Sequence, residues 1–230
     1  MSNVHFIGGE KGGVGKSMTA RLLAQYYIDQ QRPFLGFDSD ASHGTFSRFY
    51  GEFASPVIVG EDDSLDGILE ASESSPDHDL IIDLAAQTSA RLGEWIEETD
   101  VFGLLDELGY KVHLWHVMDD GADSVDLLET ALARYTQPEL QFVVVKNLGR
   151  GSDFSELQDS EAYRTAEERG AHVFELGKLH PKLTHKVDFA NASFWAAANN
   201  KEIANIAERQ RMKVWLRNNY SQLNSLLGDD

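Results

Sequence analysis

The sequence predicts an α/β protein with a mainly parallel central sheet and helices on both faces. Short apolar runs alternate with segments of helical periodicity along the 230 residues, and this alternation is typical of βαβ units. The apolar runs are nearly continuous, as expected for strands buried on both faces. A glycine-rich loop separates the first apolar run from the first helical segment, which is the arrangement of a phosphate-binding loop. A chain of this length can bury one good core, so residues 1–230 are expected to form a single domain.

The predicted elements follow one another in βαβ order. Strands are expected at residues 4–7, 33–38, 79–84, 110–118, 140–146 and 171–176. Helices are expected near residues 20–27, 88–98, 122–135, 155–169, 182–199 and 201–227. In a sheet of this kind ligands bind beyond the carboxyl ends of the strands, so the loops that follow the strands should hold the functional residues.

The loop Glu10-Lys11-Gly12-Gly13-Val14-Gly15-Lys16-Ser17 carries the strongest functional signal. Its glycines allow backbone N–H groups to turn toward phosphate oxygens, and the start of the following helix adds partial positive charge. Lys16 is expected to reach the β- and γ-phosphates of a nucleoside triphosphate, and the Ser17 hydroxyl is expected to bind Mg²⁺. The predicted nucleotide-binding residues here are Gly12, Gly13, Val14, Gly15, Lys16, Ser17 and Met18.

Lys11 distinguishes this loop from an ordinary P-loop, and Glu10 stands where a strict Walker A loop has glycine. The pattern Lys-Gly-Gly-Val-Gly-Lys-Ser resembles the deviant Walker A loop of the ParA/MinD family of ATPases. The resemblance implies that ATP and Mg²⁺ join two subunits face to face, and that Lys11 of each subunit contacts the phosphates of the other. Lys11 and Lys16 are therefore expected to take part in catalysis.

Two acidic strand ends complete the predicted site. Asp38-Ser39-Asp40 follows the second strand and resembles the first switch of the family, which implies that Asp38 supports Mg²⁺ and that Asp40 orients the attacking water. Asp83 ends the third strand and resembles a Walker B aspartate, which implies contact with Mg²⁺ through water. Both loops depart from the family pattern: Ala41-Ser42 replaces the usual Pro-Gln, and residues 84–88 lack the usual proline or glycine turn.

Two further residues are expected near the base. Asn147 closes a strand where the family commonly places an asparagine against adenine, and Pro181 lies in the loop after the next strand, where relatives place a proline. Asn147 is explained equally well by the turn that precedes Gly149 and Gly151. Adenine is favoured over guanine because the chain has no Asn-Lys-x-Asp motif.

Charge is distributed unevenly. Between Phe49 and Ala133 there are 21 acidic and two basic residues, so this segment carries −19 and the rest of the chain about +1. General nucleic-acid affinity is therefore not expected. A local basic cluster is formed by Arg209, Arg211, Lys213 and Arg217. It is compatible both with a solvated helix face and with a DNA or lipid contact.

Composition and hydropathy predict the cellular compartment of the protein. There is no cysteine, which excludes a disulfide framework and a thiolate metal site. The sequence has no apolar run long enough to span a bilayer and no signal-like N-terminus, so a cytoplasmic protein is expected. The basic amphipathic end of MinD-like proteins is also absent, and membrane contact is therefore not expected.

The resemblance implies a small ATP-hydrolysing dimeric switch, slow and stimulated by a partner protein, in plasmid partition or conjugative DNA transfer. Two alternatives remain open at this point. One is a nucleotide-dependent adaptor with little turnover, favoured by the altered second switch and the acidic middle. The other is an ATP-dependent ligase or synthetase on the same scaffold, which the scarcity of basic residues between Phe49 and Ala133 disfavours.

Overall fold

A computed structural model describes residues 1–40 and 44–228 and confirms the predicted fold class. The strands of the described chain are β1 (Ser2–Gly8), β2 (Phe34–Asp38), β3 (Ala54–Pro56), β4 (Asp79–Asp83), β5 (Tyr110–Met118), β6 (Leu140–Asn147) and β7 (His172–Leu176). They form one parallel sheet in the order β3-β2-β4-β1-β5-β6-β7. The departure from the family pattern at Ala41-Ser42 lies outside the described residues.

Helices cover both faces of this sheet. They are α1 (Lys16–Asp29), α2 (Thr45–Phe49), α3 (Asp62–Ser74), α4 (Ser89–Thr99), α5 (Val101–Glu107), α6 (Ala122–Arg134), α7 (Ser155–Asp159), α8 (Glu161–Glu168), α9 (Pro181–Phe189), α10 (Phe194–Asn199) and α11 (Ile206–Leu227). Across the described ranges, no helix has both the length and the apolar character needed to cross a membrane.

The core consists of two apolar layers, one on each face of the sheet. Ile81 packs in the layer beneath α1, α10 and α11, whereas its neighbours Leu80 and Ile82 pack in the layer beneath α3 to α6. Successive side chains of a strand point to opposite faces, so a strand buried on both faces is apolar at every position. This is why the interior strands read as continuous apolar runs.

The predicted helix at 20–27 is longer in the structure (Lys16–Asp29), and three other predicted helices are interrupted or begin later than expected. The predicted helix at 155–169 is two helices, because the backbone of Ser160 is extended and its hydroxyl accepts a hydrogen bond from the Tyr163 N–H. The predicted helix at 182–199 is likewise interrupted, and Ser193 caps its second half. The predicted helix at 201–227 begins only at Ile206, behind a capping box formed by Asn205 and Glu208. In each case a Ser or Asn that reads as helix interior is an N-cap.

Four elements, β3, α2, α3 and α5, were not predicted. The strand β3 has three residues, lies at the edge of the sheet and ends in Pro56, a residue tolerated at sheet edges. Its presence makes 140–147 the sixth strand rather than the fifth. The central position of β1 matters most for function, since it places the glycine-rich loop between the ends of β4 and β5.

Candidate functional site

The glycine-rich loop joins β1 to α1 with a backbone that only glycine adopts easily. Gly9, Gly13 and Gly15 all have positive φ angles, which L side chains rarely take. A Cβ placed on Gly12 or Gly13 would meet no atom within 4 Å. The loop therefore presents open, unobstructed backbone on its outer side, as a phosphate cradle requires.

Lys16 is held inside this loop. It is the first residue of α1 and is 8% exposed. Its ammonium donates to the carbonyl oxygens of Gly9 at 2.8 Å and Lys11 at 3.0 Å. Burial lowers the pKa of Lys16, while the neighbouring Asp83, Glu10 and Asp40 carboxylates oppose that shift. Among the described residues, the Lys16 ammonium therefore has only backbone carbonyls as hydrogen-bond partners at the site.

Asn147 fixes the inner side of the loop. Its side-chain amide donates to the Val14 carbonyl at 2.6 Å and its oxygen accepts the Gly149 N–H at 2.9 Å. A Cβ on Gly15 would collide with the Asn147 amide nitrogen, so this close approach explains the glycine. Asn147 also lines the large cavity beside the loop. The structure supports its role in backbone geometry, while its predicted contact with adenine stays a prediction.

Asp38 ends β2 and Asp83 ends the neighbouring strand β4. The two residues are paired with each other in the register of these strands, so they lie side by side at the carboxyl ends. Asp38 is buried, and its oxygens accept hydrogen bonds from the backbone N–H groups of Asp40 and Ser47 and from the Ser47 hydroxyl. This carboxylate therefore ties the first switch segment to the start of α2. Its predicted support of Mg²⁺ would act from this hydrogen-bonded position.

Asp83 has a different environment. Both of its carboxylate oxygens are buried without a hydrogen-bond partner within the described residues. Burial raises the pKa of Asp83 to about 7, and the neighbouring Asp38 carboxylate adds to the rise. The Ser17 hydroxyl, which is close to the carboxylate but outside hydrogen-bond geometry, and the Lys16 ammonium oppose it. A buried carboxylate without partners is costly unless a cation compensates it. Oxygen ligands from a carboxylate and a hydroxyl are also those that Mg²⁺ prefers, so this group of residues fits a magnesium ion.

Lys11 lies on the other side of the loop and contacts acidic residues of its own chain. Its ammonium is 2.9 Å from a carboxylate oxygen of Asp119, just after β5, and 2.8 Å from one of Asp123, in the first turn of α6. These two carboxylates raise the pKa of Lys11 through hydrogen bonds. The predicted contact of Lys11 with a partner's phosphates requires this arrangement to open.

Glu10 does not place its carboxylate among the phosphate-binding atoms. Its side chain accepts the backbone N–H of Ser89, the first residue of α4, at 3.0 Å, where a negative charge complements the helix dipole. The segment before α4 contains Gln87 with a φ of 63°, a left-handed conformation that is uncommon outside glycine. Glu10 therefore connects the glycine-rich loop to the altered second switch.

A cavity of about 910 Å³ opens beside these groups, a volume typical of ligand sites. It brings together most of the predicted site residues: Gly12, Gly13, Gly15, Lys16, Ser17, Met18, Asp40, Asp83, Asn147 and Pro181. Val14 is buried beneath the loop. Val14, Lys11 and Asp38 are not part of its lining. The cavity also includes basic residues that were not predicted: Arg21, Arg48, Arg150, Lys178 and His185.

Arg21 could have been found from the sequence. It lies four residues after Ser17, so both face the same side of α1. Its guanidinium is buried over the Phe49 ring, 3.5 Å from the ring centre, and donates to Asp188 at 3.2 Å. Two of its nitrogens have no hydrogen-bond partner within the described residues. Arg21 therefore packs α2, which follows the first switch, against α9 and α10.

The predicted basic cluster does not form a single face. Lys213 and Arg217 are one helical turn apart on α11 and line the same surface groove. Arg211 is about 200° around the helix from Lys213, since an α-helix turns 100° per residue. Arg209 donates to the Ala204 carbonyl at 2.7 Å. Three of the four cations therefore lie on one side of α11, with Arg211 on the other and Arg209 held by a backbone carbonyl. The predicted DNA contact stays a prediction.

Comparison with known proteins agrees with the predicted family resemblance. No family model matches the chain. The chain is 25% identical over 240 residues to Protein TraL of Escherichia coli, covering 98% of each. It is 27% identical over 219 residues to Protein MobD of Acidithiobacillus ferrooxidans, covering 92% of this chain and 93% of MobD. Its fold matches the septum site-determining protein MinD of Pyrococcus horikoshii, solved with Mg-ADP, at a TM-score of 0.57, 13% identity, and coverage of 99% and 98%. The resemblance to the ParA/MinD type is thus confirmed at the level of the fold.

Proposed function

We propose that this chain, which has the ParA/MinD-type P-loop fold, binds ATP with Mg²⁺ and acts as an ATP-hydrolysing dimeric switch. One observation carries the proposal: Asp83, a buried carboxylate whose two oxygens meet no group of the described chain in hydrogen-bond geometry, lies beside the Ser17 hydroxyl and the Lys16 ammonium. A bound divalent cation would compensate its charge. The similarity to TraL and MobD favours conjugative transfer over plasmid partition as the setting.

Phosphate binding, Mg²⁺ binding and positioning of the water are assigned to different residues of the chain. Backbone N–H groups of the loop bind the phosphates, and Lys16 exchanges its two carbonyl partners for phosphate oxygens. Ser17 and Asp83, with Asp38 behind them, would hold Mg²⁺, which neutralises phosphate charge when bound. Asp40 positions the attacking water.

Dimer formation is proposed to depend on Lys11. The lysine leaves Asp119 and Asp123 of its own chain and contacts the phosphates bound by the partner subunit, because a triphosphate offers more negative charge than two carboxylates. Hydrolysis reduces that charge and allows Lys11 to return. A partner protein that stimulates hydrolysis would then set the lifetime of the dimer.

Molar mass from light scattering tests this proposal. Wild type, Asp40→Ala and Lys16→Ala are measured without nucleotide, with ADP and with Mg²⁺-ATP. We expect a dimer of the wild type with Mg²⁺-ATP alone, a longer-lived dimer of Asp40→Ala, and a monomer of Lys16→Ala in every condition. A constant mass in all conditions would contradict the switch and favour a synthetase or a permanently assembled adaptor.

A second candidate is an adaptor that binds ATP and dimerises with little turnover. The left-handed backbone of Gln87 and the hydrogen bond from the Ser89 N–H to the Glu10 carboxylate support it, because they hold the second switch segment against the glycine-rich loop. Phosphate release separates the two functions. ATP-dependent dimerisation with no measurable phosphate release favours the adaptor.

A further inference from the structure

A groove of about 470 Å³ lies on the surface formed by the end of α1, α10 and α11. Its aromatic wall is Trp195, which is 57% exposed, whereas Trp95, Trp115 and Trp215 are each at most 6% exposed. A tryptophan this exposed at the edge of a groove is uncommon on a surface without a binding role, since tryptophan is enriched where partners dock.

The floor of the groove is well ordered by internal contacts. Asp29 accepts hydrogen bonds from Gln25 at 2.9 Å and from the Tyr220 hydroxyl at 2.8 Å. Tyr220 packs edge-on against Tyr26, whose hydroxyl donates to Asn224 at 2.9 Å. These polar groups of the floor therefore satisfy one another, and Lys213 and Arg217 are left for a partner.

Two cations line the groove with no such partners. Lys213 and Arg217 are exposed, and neither makes an ion pair or side-chain hydrogen bond with any residue the structure describes. Ile206, which is 78% exposed, lies seven residues before Lys213 and so on the same side of α11. The groove thus offers an aromatic wall and two free positive charges in a protein with a net charge of −18, and Ile206 lies outside its lining, farther along the same helix.

We propose that this groove docks a short acidic segment of a partner protein that carries an aromatic or branched aliphatic side chain. The apolar side chain packs against Trp195, and carboxylates on either side pair with Lys213 and Arg217. A DNA duplex fits these features less well. Duplex binding rests on many phosphate contacts, whereas at most Arg209, Lys213 and Arg217 lie on this side of α11, Arg211 faces away, and the chain as a whole is acidic.

The position of the groove also connects it to the nucleotide site. The backbone N–H of Trp195 donates to the side-chain oxygen of Gln25 at 2.9 Å, and the Tyr50 hydroxyl donates to the same oxygen at 3.0 Å. Tyr50 immediately follows α2, whose Ser47 binds Asp38. A segment docked on Trp195 is therefore linked by hydrogen bonds, through Gln25 and Tyr50, to the helix that holds the first switch. The docking site does not depend on the proposed ATPase activity.

The test uses 12-residue peptides in which Asp or Glu alternates with Phe, Tyr or Leu, a matched set with Asn and Gln, and a 20-base-pair DNA duplex. Binding is measured without nucleotide by fluorescence polarisation of labelled probes, which serves every variant, and by quenching of tryptophan fluorescence in the proteins that keep Trp195. Lys213→Glu with Arg217→Glu removes the groove cations. Arg211→Glu with Lys201→Glu makes the same change of charge outside the groove.

We expect saturable binding of the acidic set, weakened at least tenfold by Lys213→Glu with Arg217→Glu and by Trp195→Ala. The Asn/Gln set should not bind, and the control pair Arg211→Glu with Lys201→Glu should change affinity less than twofold. Equal losses in both double variants would overturn the proposal, as would the absence of saturable peptide binding. Binding of the duplex that depends on Lys213 and Arg217, without peptide binding, would also overturn it and identify a nucleic-acid surface.

Discussion

Replacing Asp83 with asparagine is expected to stabilise the protein in the absence of nucleotide and metal. Burial raises the pKa of Asp83 from 3.8 to about 7. The folded protein therefore favours the protonated form, and stability falls as the pH rises from about 4 to 7. At pH 8 the ionised carboxylate costs about 4 kcal/mol relative to a solvated one, because a difference of one in pKa between the folded and unfolded protein corresponds to about 1.4 kcal/mol.

Asparagine has nearly the same shape but no charge. It retains the cost of a buried amide without partners, about 1–3 kcal/mol, so we expect Asp83→Asn to exceed the wild type by about 1–3 kcal/mol at pH 8. The difference should shrink or reverse at pH 5, where most of the wild-type carboxyl is protonated. The same variant should lose stabilisation by Mg²⁺-ATP, because the proposed metal ligand is gone.

Urea unfolding followed by circular dichroism at pH 5 and pH 8 measures both effects, with EDTA and then with Mg²⁺-ATP. Asp77→Asn is the matched control, since Asp77 is exposed and should leave stability within about 0.5 kcal/mol. If Asp83→Asn is less stable than the wild type at pH 8, or if the difference does not change with pH, Asp83 does not carry an uncompensated buried charge.

Two further predictions concern ionisable side chains on β5 and just after it. Asp119→Asn with Asp123→Asn frees Lys11, and should lower the dissociation constant of the ATP-dependent dimer by roughly three- to tenfold in sedimentation equilibrium; an unchanged or weaker dimer would show that these carboxylates do not compete for the lysine. Burial holds the pKa of His113 and of His116 at about 4, so their contribution to stability is complete above about pH 7.5 and falls by about 2 kcal/mol each between that pH and pH 5. Urea unfolding of His113→Gln should show a shallower loss over that range, and a slope equal to that of the wild type would contradict it.

The strands and the glycine-rich loop could be predicted because each is formed by a short run of consecutive residues. Strand β6 is recognisable from Phe142 to Val145 alone, and the glycine-rich loop from eight consecutive residues. The helix breaks at Ser160 and Ser193 were missed because a serine reads the same inside a helix and at its cap. The backbone conformation decides between them, and that conformation depends on how the flanking helices pack.

The sequence gives much less information about which side chains contact one another across the site. Lys11 and Asp119 are 108 residues apart in the chain, and nothing in either neighbourhood identifies the other. Their contact follows from the strand order, because β5 pairs with β1 along its length from Ser2 to Gly8. Asn147 shows the same limit. Its place at a strand end was predicted, but its hydrogen bond to the Val14 carbonyl depends on the tight approach at Gly15.

The position of β1 between β4 and β5 gives the two lysines of the loop different surroundings. On the β4 side Lys16 lies near Asp83, and on the β5 side Lys11 pairs with Asp119 and Asp123. Asp83 has no partner in hydrogen-bond geometry in the described chain, whereas the two acids beside Lys11 share its single positive charge. On the β4 side, nucleotide-bound Mg²⁺ would therefore supply the positive charge that Asp83 lacks. On the β5 side, the phosphates would compete with Asp119 and Asp123 for Lys11. Binding of one nucleotide and release of Lys11 are consequently separate steps, and we expect Asp83 to govern the first and the β5 acids the second.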